Sequence, residues 1–412
     1  MTHKVISLLK DKTTLFIILF SLSAPLFNLR IVASVTFFDV FTLFAILVFF
    51  SKRVSLKTIL LLFIFILTFL ISELNGLITM VNIEDKSWDS LNILFRYLIL
   101  LFIMPYLSYR FFYSDYKSEA NIDLFYNVLM CSFFGVLVFN IYAIHFELKD
   151  YFFLQRFSSI YGNANTAALV FNIMSVLYLL NTTHSSNFIR AISYASIFLT
   201  IPALIVTGSF SGYLIQAIIF SYFLIKTANI KVTMFLIFIV IIAIFNLNLN
   251  YADEDSQIMR GLLRFSSLVD IFSSSDSFQI SKVGSFNERM LSIQMALMEL
   301  GSGPGYIFSG IGFGNVETLV ERLTEFRTSI HVTYLQLIIS IGFIGTIVYV
   351  HVFLRVLSKI PRYLVNNKLI FQSTTLLLVF FFFGAFVPHT YMSFYFAPVF
   401  PLLGLYGVKG DY

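Results

Sequence analysis

Four arginines and one histidine are the residues of this sequence best suited to chemistry. Arg156, Arg260, Arg264 and Arg289 each carry a planar guanidinium fork that matches phosphate or carboxylate oxygens through two parallel hydrogen bonds. His331 stands just ahead of Thr333 and Tyr334. It can take a proton from a hydroxyl near neutral pH or hydrogen-bond a phosphate. A single arginine at a membrane surface usually snorkels toward headgroups or pairs with an acid, and a single interfacial histidine is satisfied by water. As a set facing one side, the arginines favour anion binding. His145 and His389 rank below His331. No His-Glu-x-x-His or comparable ligand spacing occurs, so no metal site is expected, and no cofactor either. Gly310-Ile-Gly-Phe-Gly314 superficially resembles a phosphate loop, but no strand of a βαβ unit precedes it. These glycines read as a tight loop near the mouth of a helix bundle. The single Cys131 excludes a disulfide or a cysteine metal site within one chain.

The elements that must position these residues are membrane helices. The chain is 58% hydrophobic and 12% charged, with a mean hydropathy of +0.87, whereas a soluble domain carries about 25% charged residues. Its 51 Phe and 22 Tyr suit lipid-facing and interfacial positions. The net charge of +5 is read through loop topology, and no nucleic-acid partner is expected. A span needs roughly 17–25 apolar residues, which gives about twelve. They lie near 13–30, 34–50, 58–75, 91–108, 122–144, 164–180, 191–207, 212–226, 232–248, 331–353, 369–387 and 393–408. The first is of spanning length and lacks a small-residue cleavage site, so no cleavable signal peptide is expected. Thr207-Gly-Ser-Phe-Ser-Gly212 reads as a very tight turn between the seventh and eighth.

The expected fold is therefore an all-α polytopic membrane protein with about twelve transmembrane helices and one large extracytoplasmic loop. Helices one to nine occupy 1–248, the loop 249–330, and helices ten to twelve 331–412. Lys and Arg in short loops set the orientation. One side holds Lys4, Lys10, Lys12, Lys52, Arg53, Arg110, Arg190, Lys231, Arg355, Arg362 and others, the opposite side only Arg30, Lys86, Arg96, Lys149 and Arg156. Both termini are expected in the cytoplasm and the long loop outside, since long segments translocate largely regardless of charge. Within that loop, 258–272 and 287–300 place their apolar residues mostly on one face, and 316–326 gives a third short helix. Such amphipathic helices suit a bilayer surface or a lid on the bundle. Asp39, Glu73, Asn75 and Arg96 fall within or at the ends of spans, where charges usually face the bundle interior and pair. An Asp39–Arg96 or Asp39–Arg30 pair is the expected explanation.

Three segments resemble a known family, the integral-membrane O-antigen polymerases (Wzy type) and their O-antigen ligase relatives. The first is Arg156-Phe-Ser-Ser-Ile-Tyr-Gly-Asn-Ala-Asn165, an arginine before a Gly/Asn-rich lead into a span. The second is Glu288-Arg289-Met-Leu-Ser-Ile-Gln-Met-Ala followed by Gly310-Ile-Gly-Phe-Gly-Asn315. The third is His331-Val-Thr-Tyr334-Leu-Gln-Leu followed by Gly342-Phe-Ile-Gly345. The match covers roughly residues 150–350. Ser209-Phe210 departs from the family's Ser-Arg turn, which removes a phosphate ligand and leaves Arg156, Arg260 or Arg264 to substitute. Val332 stands where Asn is frequent.

The resemblance implies a metal-independent glycosyltransferase that polymerises a polysaccharide such as O-antigen or capsule. It would take the glycan from undecaprenyl diphosphate on the periplasmic face of the bacterial inner membrane. Arg289 and Arg156 would stabilise the leaving diphosphate, with Arg260 and Arg264 behind them. His331 would activate the acceptor hydroxyl or hold the second phosphate, and Tyr334 would orient it. Sugar contacts would come from around Asn163, Asn165 and Asn315. Membrane lipid, a chain-length regulator and a flippase of the same pathway are the expected partners. Two alternatives stand beside it: an O-antigen ligase acting on lipid A-core, and a lipid-linked oligosaccharide flippase. Transporters tend to have two related halves, and no internal repeat is visible here.

Overall fold

The structure, a computed structural model, describes residues 12–26, 30–32, 35–49, 56–79, 87–99, 103, 118–153, 156–161, 163–181, 187–227, 304–313 and 333–358, with isolated positions between 291 and 319. These fall into two compact units, one drawing on residues up to 40 and 120–277, the other on 41–119 and 278–366.

The first unit contains α1 (Lys12–Ser23), α5 (Ser118–His145), α6 (Ala164–Asn181), α7 (Asn187–Thr207) and α8 (Phe210–Thr227). Two very short antiparallel ladders accompany them. One joins β1 (Arg30–Val32) to β2 (Val35–Thr36), the other β3 (Phe152–Phe153) to β4 (Arg156–Phe157). β2 leads into α2 (Phe37–Phe49) through a carboxylate cap. Thr36 is the N-cap, and Asp39 three residues on accepts its backbone N–H at 2.8 Å and its hydroxyl at 2.7 Å. Asp39, which the sequence suggested for an ion pair with Arg30 or Arg96, thus has a local role in starting a helix.

At the centre of this unit lies α6, buried at every position from Ala167 to Leu179 and packed on α7 and α8. A helix apolar on all sides has to be enclosed. Hydroxyls in such surroundings need partners, and on the neighbouring α7 that helix's own carbonyls supply them: Ser193 donates to Ile189 O and Thr200 to Ser196 O. The turn from α7 to α8 is as short as the sequence suggests. Gly208, with φ +58°, follows the last residue of α7, and Ser209 caps α8 by accepting the Gly212 N–H at 3.4 Å.

The second unit contains α3 (Leu56–Thr79), α4 (Ser87–Leu98), α9 (Pro304–Ser309) and α10 (Thr333–Ser358). α9 packs on α10 and α3, and α3 packs on both α4 and α10. The two longest run antiparallel, since Phe65 and Tyr349 meet through Tyr97 while Ser72 and Ser340 meet through residues 309–312. α10 is interrupted at Gly342, whose φ of +67° and ψ of 178° break the helical ladder. Into that break fits the glycine segment after α9. Ile311 N–H donates to Ile339 O and Gly312 N–H to Ser340 O, each at 2.8 Å. The segment read from sequence as a loop at the bundle mouth is therefore packed between helices. Phe313 follows it into an aromatic core, stacked on Phe69 with centroids 5.6 Å apart and tilted against Tyr97 at 5.3 Å.

Helices occur where spans one to eight and ten were expected. Spans nine, eleven and twelve and the loop helix at 258–272 lie outside the described residues. Of the helix at 287–300, Leu291, Leu297 and Met298 are helical and exposed. Among the described residues three helices are long and apolar enough to cross a membrane: Asn127–His145, Asn187–Thr207 and Tyr334–His351. The molecule is a helical membrane protein.

Replacing Phe313 by Ala should lower stability by about 3 kcal/mol, the low end of the range for Phe→Ala, because in lipid the loss is mainly of packing. Thermal denaturation of the detergent-solubilised variant checks this; an unchanged midpoint would mean that Phe313 is not a core residue.

Candidate functional site

In the first unit the site is built where α6 and α8 begin. The chain leaves α5, turns through the 3-10 segment Lys149–Tyr151, and doubles back so that Phe153 pairs with Arg156 and Phe152 with Phe157. Ser158 closes the hairpin, donating from its N–H and hydroxyl to Tyr151 O at 2.8 and 2.9 Å. Phe157 is buried, its ring parallel to that of Phe171. The hairpin thus fixes the backbone of Arg156 eight residues before the first residue of α6. Next comes Ser159, in the left-handed region at φ +57°, whose hydroxyl donates to Asn140 Oδ1 on α5. Burial, reinforced by nearby Tyr178, pushes the Tyr161 hydroxyl well above its ordinary pKa, so it keeps its proton and remains a donor.

Two of the expected sugar-binding amides follow. Asn163 is exposed and is the N-cap of α6, its Oδ1 accepting Asn165 N–H at 2.8 Å and its carbonyl accepting Ala167 N–H at 2.9 Å. Asn165 Oδ1 in turn accepts the Ser209 hydroxyl at 2.9 Å, and Ser209 and Ser211 hydroxyls lie 3.2 Å apart. Two helical turns deeper, Asn172 donates to Ala168 O at 2.8 Å and to Gly212 O at 3.2 Å. Asn172 Oδ1 and both amide atoms of Gln216 are buried with no protein partner. Since Gly212 and Gln216 are four apart on α8, as are Ala168 and Asn172 on α6, these groups belong to facing surfaces. The result is a polar seam running inward from Asn163, able to offer amide and hydroxyl hydrogen bonds to a polyhydroxylated ligand at its open end.

The structure therefore joins Asn163 to Asn165 and sets both close after Arg156 in the chain. It adds Asn140, Ser159, Asn172 and Ser211, which sequence reasoning passed over, and Ser209, which sequence reasoning noted only beside Phe210 in the short turn. Asn140 and Asn172 were visible as amides inside apolar spans, a pattern that usually marks inward-facing positions. Phe210 opens α8 beside Ser209.

Asn315 and Tyr334 belong to the second unit. Asn315 is buried, and its amide donates to Ile311 O at 2.8 Å, so this donor holds the glycine segment. Tyr334 is half-buried in the first turn of α10. Arg260, Arg264, Arg289 and His331 lie outside the described residues, and so does the side chain of Arg156. No family model matches the chain, and none of the curated proteins it was compared with matches it either.

A double-mutant cycle on Asn165→Ala and Ser209→Ala should give a coupling of about 1 kcal/mol, the usual net worth of one buried hydrogen bond. Additive losses of thermal stability in the double variant would contradict the bond.

Proposed function

We propose that the protein is a polysaccharide polymerase. It transfers a glycan from its undecaprenyl-diphosphate carrier to the end of another lipid-linked repeat unit, on the periplasmic face of the bacterial inner membrane. What carries this reading is the order of three segments in a helical membrane protein: Arg156 with Asn163-Ala-Asn165, then Arg289 with the Gly310–Asn315 turn, then His331-Val-Thr-Tyr334. The amide and hydroxyl seam at the start of α6 and α8 supports it, because neutral donors and acceptors at the end of a span suit sugar hydroxyls. The chain in this reading has about twelve spans, both termini in the cytoplasm, and residues 249–330 as a helical lid.

In the reaction the acceptor hydroxyl oxygen forms a bond to the anomeric carbon of the donor glycan. The bond from that carbon to the carrier diphosphate breaks, and its electron pair leaves with the diphosphate. Arg289 and Arg156 stabilise the charge that develops there, a task in which fixed donors act best when preorganised, and Arg260 and Arg264 extend the same anion site. His331 takes the proton from the acceptor hydroxyl, and Tyr334 orients that hydroxyl. A chain-length regulator and a flippase of the same pathway are the protein partners, and membrane lipid surrounds the site.

Arg289→Ala and His331→Ala variants, present in the membrane at normal levels, should each lose polymer formation by a factor on the order of 10²–10³. Arg289→Lys should also be impaired, because an ammonium lacks the bidentate fork. Full-length polymer from both alanine variants would sink the assignment. Deleting the gene separates the ligase alternative: a polymerase deletion leaves single-repeat caps, a ligase deletion accumulates lipid-linked polymer with uncapped core. Polymerisation by the purified protein in detergent, where no compartments exist, excludes transport as the main activity.

A further inference from the structure

A carboxylate in an apolar span is rare and costly, and Glu73 of α3 is one. Its Oε1 accepts the Phe313 N–H at 2.8 Å. The contact is built from both sides. Gly312 has φ +83°, and a Cβ there would lie 2.6 Å from Glu73 Oε2, so only glycine lets the backbone approach the carboxylate this closely. One turn of α3 supplies the neighbouring grips. Ser72 donates to Ser309 O, and Asn75 Nδ2 donates to Ser309 Oγ at 3.0 Å and Gly310 O at 2.6 Å. A Cβ on Gly76 would collide with Ile311 O and Asn315 Nδ2. Thus Ser72, Glu73, Asn75 and Gly76 together hold residues 309–315.

The held segment holds something in turn. Its Ile311 and Gly312 N–H groups are bonded to Ile339 O and Ser340 O, the carbonyls at the lower end of the part of α10 that precedes the break at Gly342. That part runs from Thr333 through Tyr334 and the buried Gln336. About 10 Å of helix, at 1.5 Å per residue, separate Thr333 from Ser340. Its tilt relative to the rest of α10 is free to change at a glycine hinge unless something outside the helix fixes it.

Resting on the polymerase reading, we propose that Glu73 is a positioning residue: through the Gly312–Phe313 backbone it fixes the part of α10 before Gly342 and so aims Tyr334 at the acceptor. The carboxylate does not touch substrate. It serves as a hydrogen-bond acceptor, and the oxygen of an amide can take the same bond.

The test compares Glu73→Ala and Glu73→Gln in the full-length protein. Amide hydrogen exchange at residues 311–313 should quicken about 10–100-fold in the alanine variant, the range set by losing one charge-assisted bond, and return toward wild type in the glutamine variant. Polymer formation should follow the same pattern, with the alanine variant raising KM for the acceptor more than it lowers kcat. Unchanged exchange in Glu73→Ala overturns the anchor. Faster exchange with unchanged polymer kinetics overturns the positioning role. If Glu73→Ala fails to accumulate while Glu73→Gln accumulates normally, the acceptor role stands; failure of both means the charge itself is required and overturns it. Wild-type protein that makes no polymer removes the polymerase reading, and the exchange measurement still decides the anchor.

Discussion

A backbone carbonyl that has lost its helical donor cannot be left bare in an apolar layer, where each unsatisfied group costs several kcal/mol. The break at Gly342 creates that need inside α10, and the architecture of the second unit follows from how it is met. The donors come from Ile311 and Gly312, so a segment from the far end of a long polar stretch has to lie between α3 and α10. Once there, Phe313 enters the space framed by Phe69, Tyr97 and Tyr349, and Glu73 meets the next N–H. The polar residues of α3 are thus the receiving face for an inserted strand of chain, which explains why Ser72, Glu73 and Asn75 cluster in one turn of an otherwise apolar helix.

The first unit solves a milder form of the same problem. α6 is enclosed along almost its whole length, and the Asn172 amide nitrogen finds backbone carbonyls at Ala168 O on its own helix and Gly212 O on α8, while its Oδ1 has no protein partner. The polarity concentrates where helices begin. Asn163 and Ser209 cap α6 and α8, and Asn165 ties the two caps together. A sugar-binding role for this end draws on groups that the fold already requires at helix starts, so the structural and functional demands fall on the same few side chains.

Much of the helical layout was legible from hydrophobic runs alone, and the α7–α8 turn from Thr207-Gly-Ser-Phe-Ser-Gly212, because both signals are local. The cap at Thr36 and Asp39 was local too, yet the carboxylate inside an apolar run drew attention to distant arginines first. The contacts of the glycine segment were hidden for a different reason. Its partners are Ile339 and Ser340, apolar or small residues that contribute backbone carbonyls, and a carbonyl freed by a distant kink leaves no mark on residue type. Glu73 was recognised as unusual, but its partner lies 240 positions away and is a main-chain N–H, which no pattern of charges can disclose. Asn315 read as a sugar ligand because amides commonly are, and its bond from the amide nitrogen to Ile311 O was not foreseen. The arginines and His331 remain assigned from their type, order and resemblance.

The central claim is that the Gly310–Phe313 segment sits against α3 in the intact membrane protein. It is tested most directly by cross-linking cysteines placed at Asn75 and Ser309, whose side chains meet at 3.0 Å, in a Cys131→Ser background. Native membranes treated with a short thiol cross-linker should give the linked 75–309 peptide, identified by mass spectrometry, in high yield. No linked peptide, from protein in which each single cysteine reacts readily with a thiol label, would contradict the account.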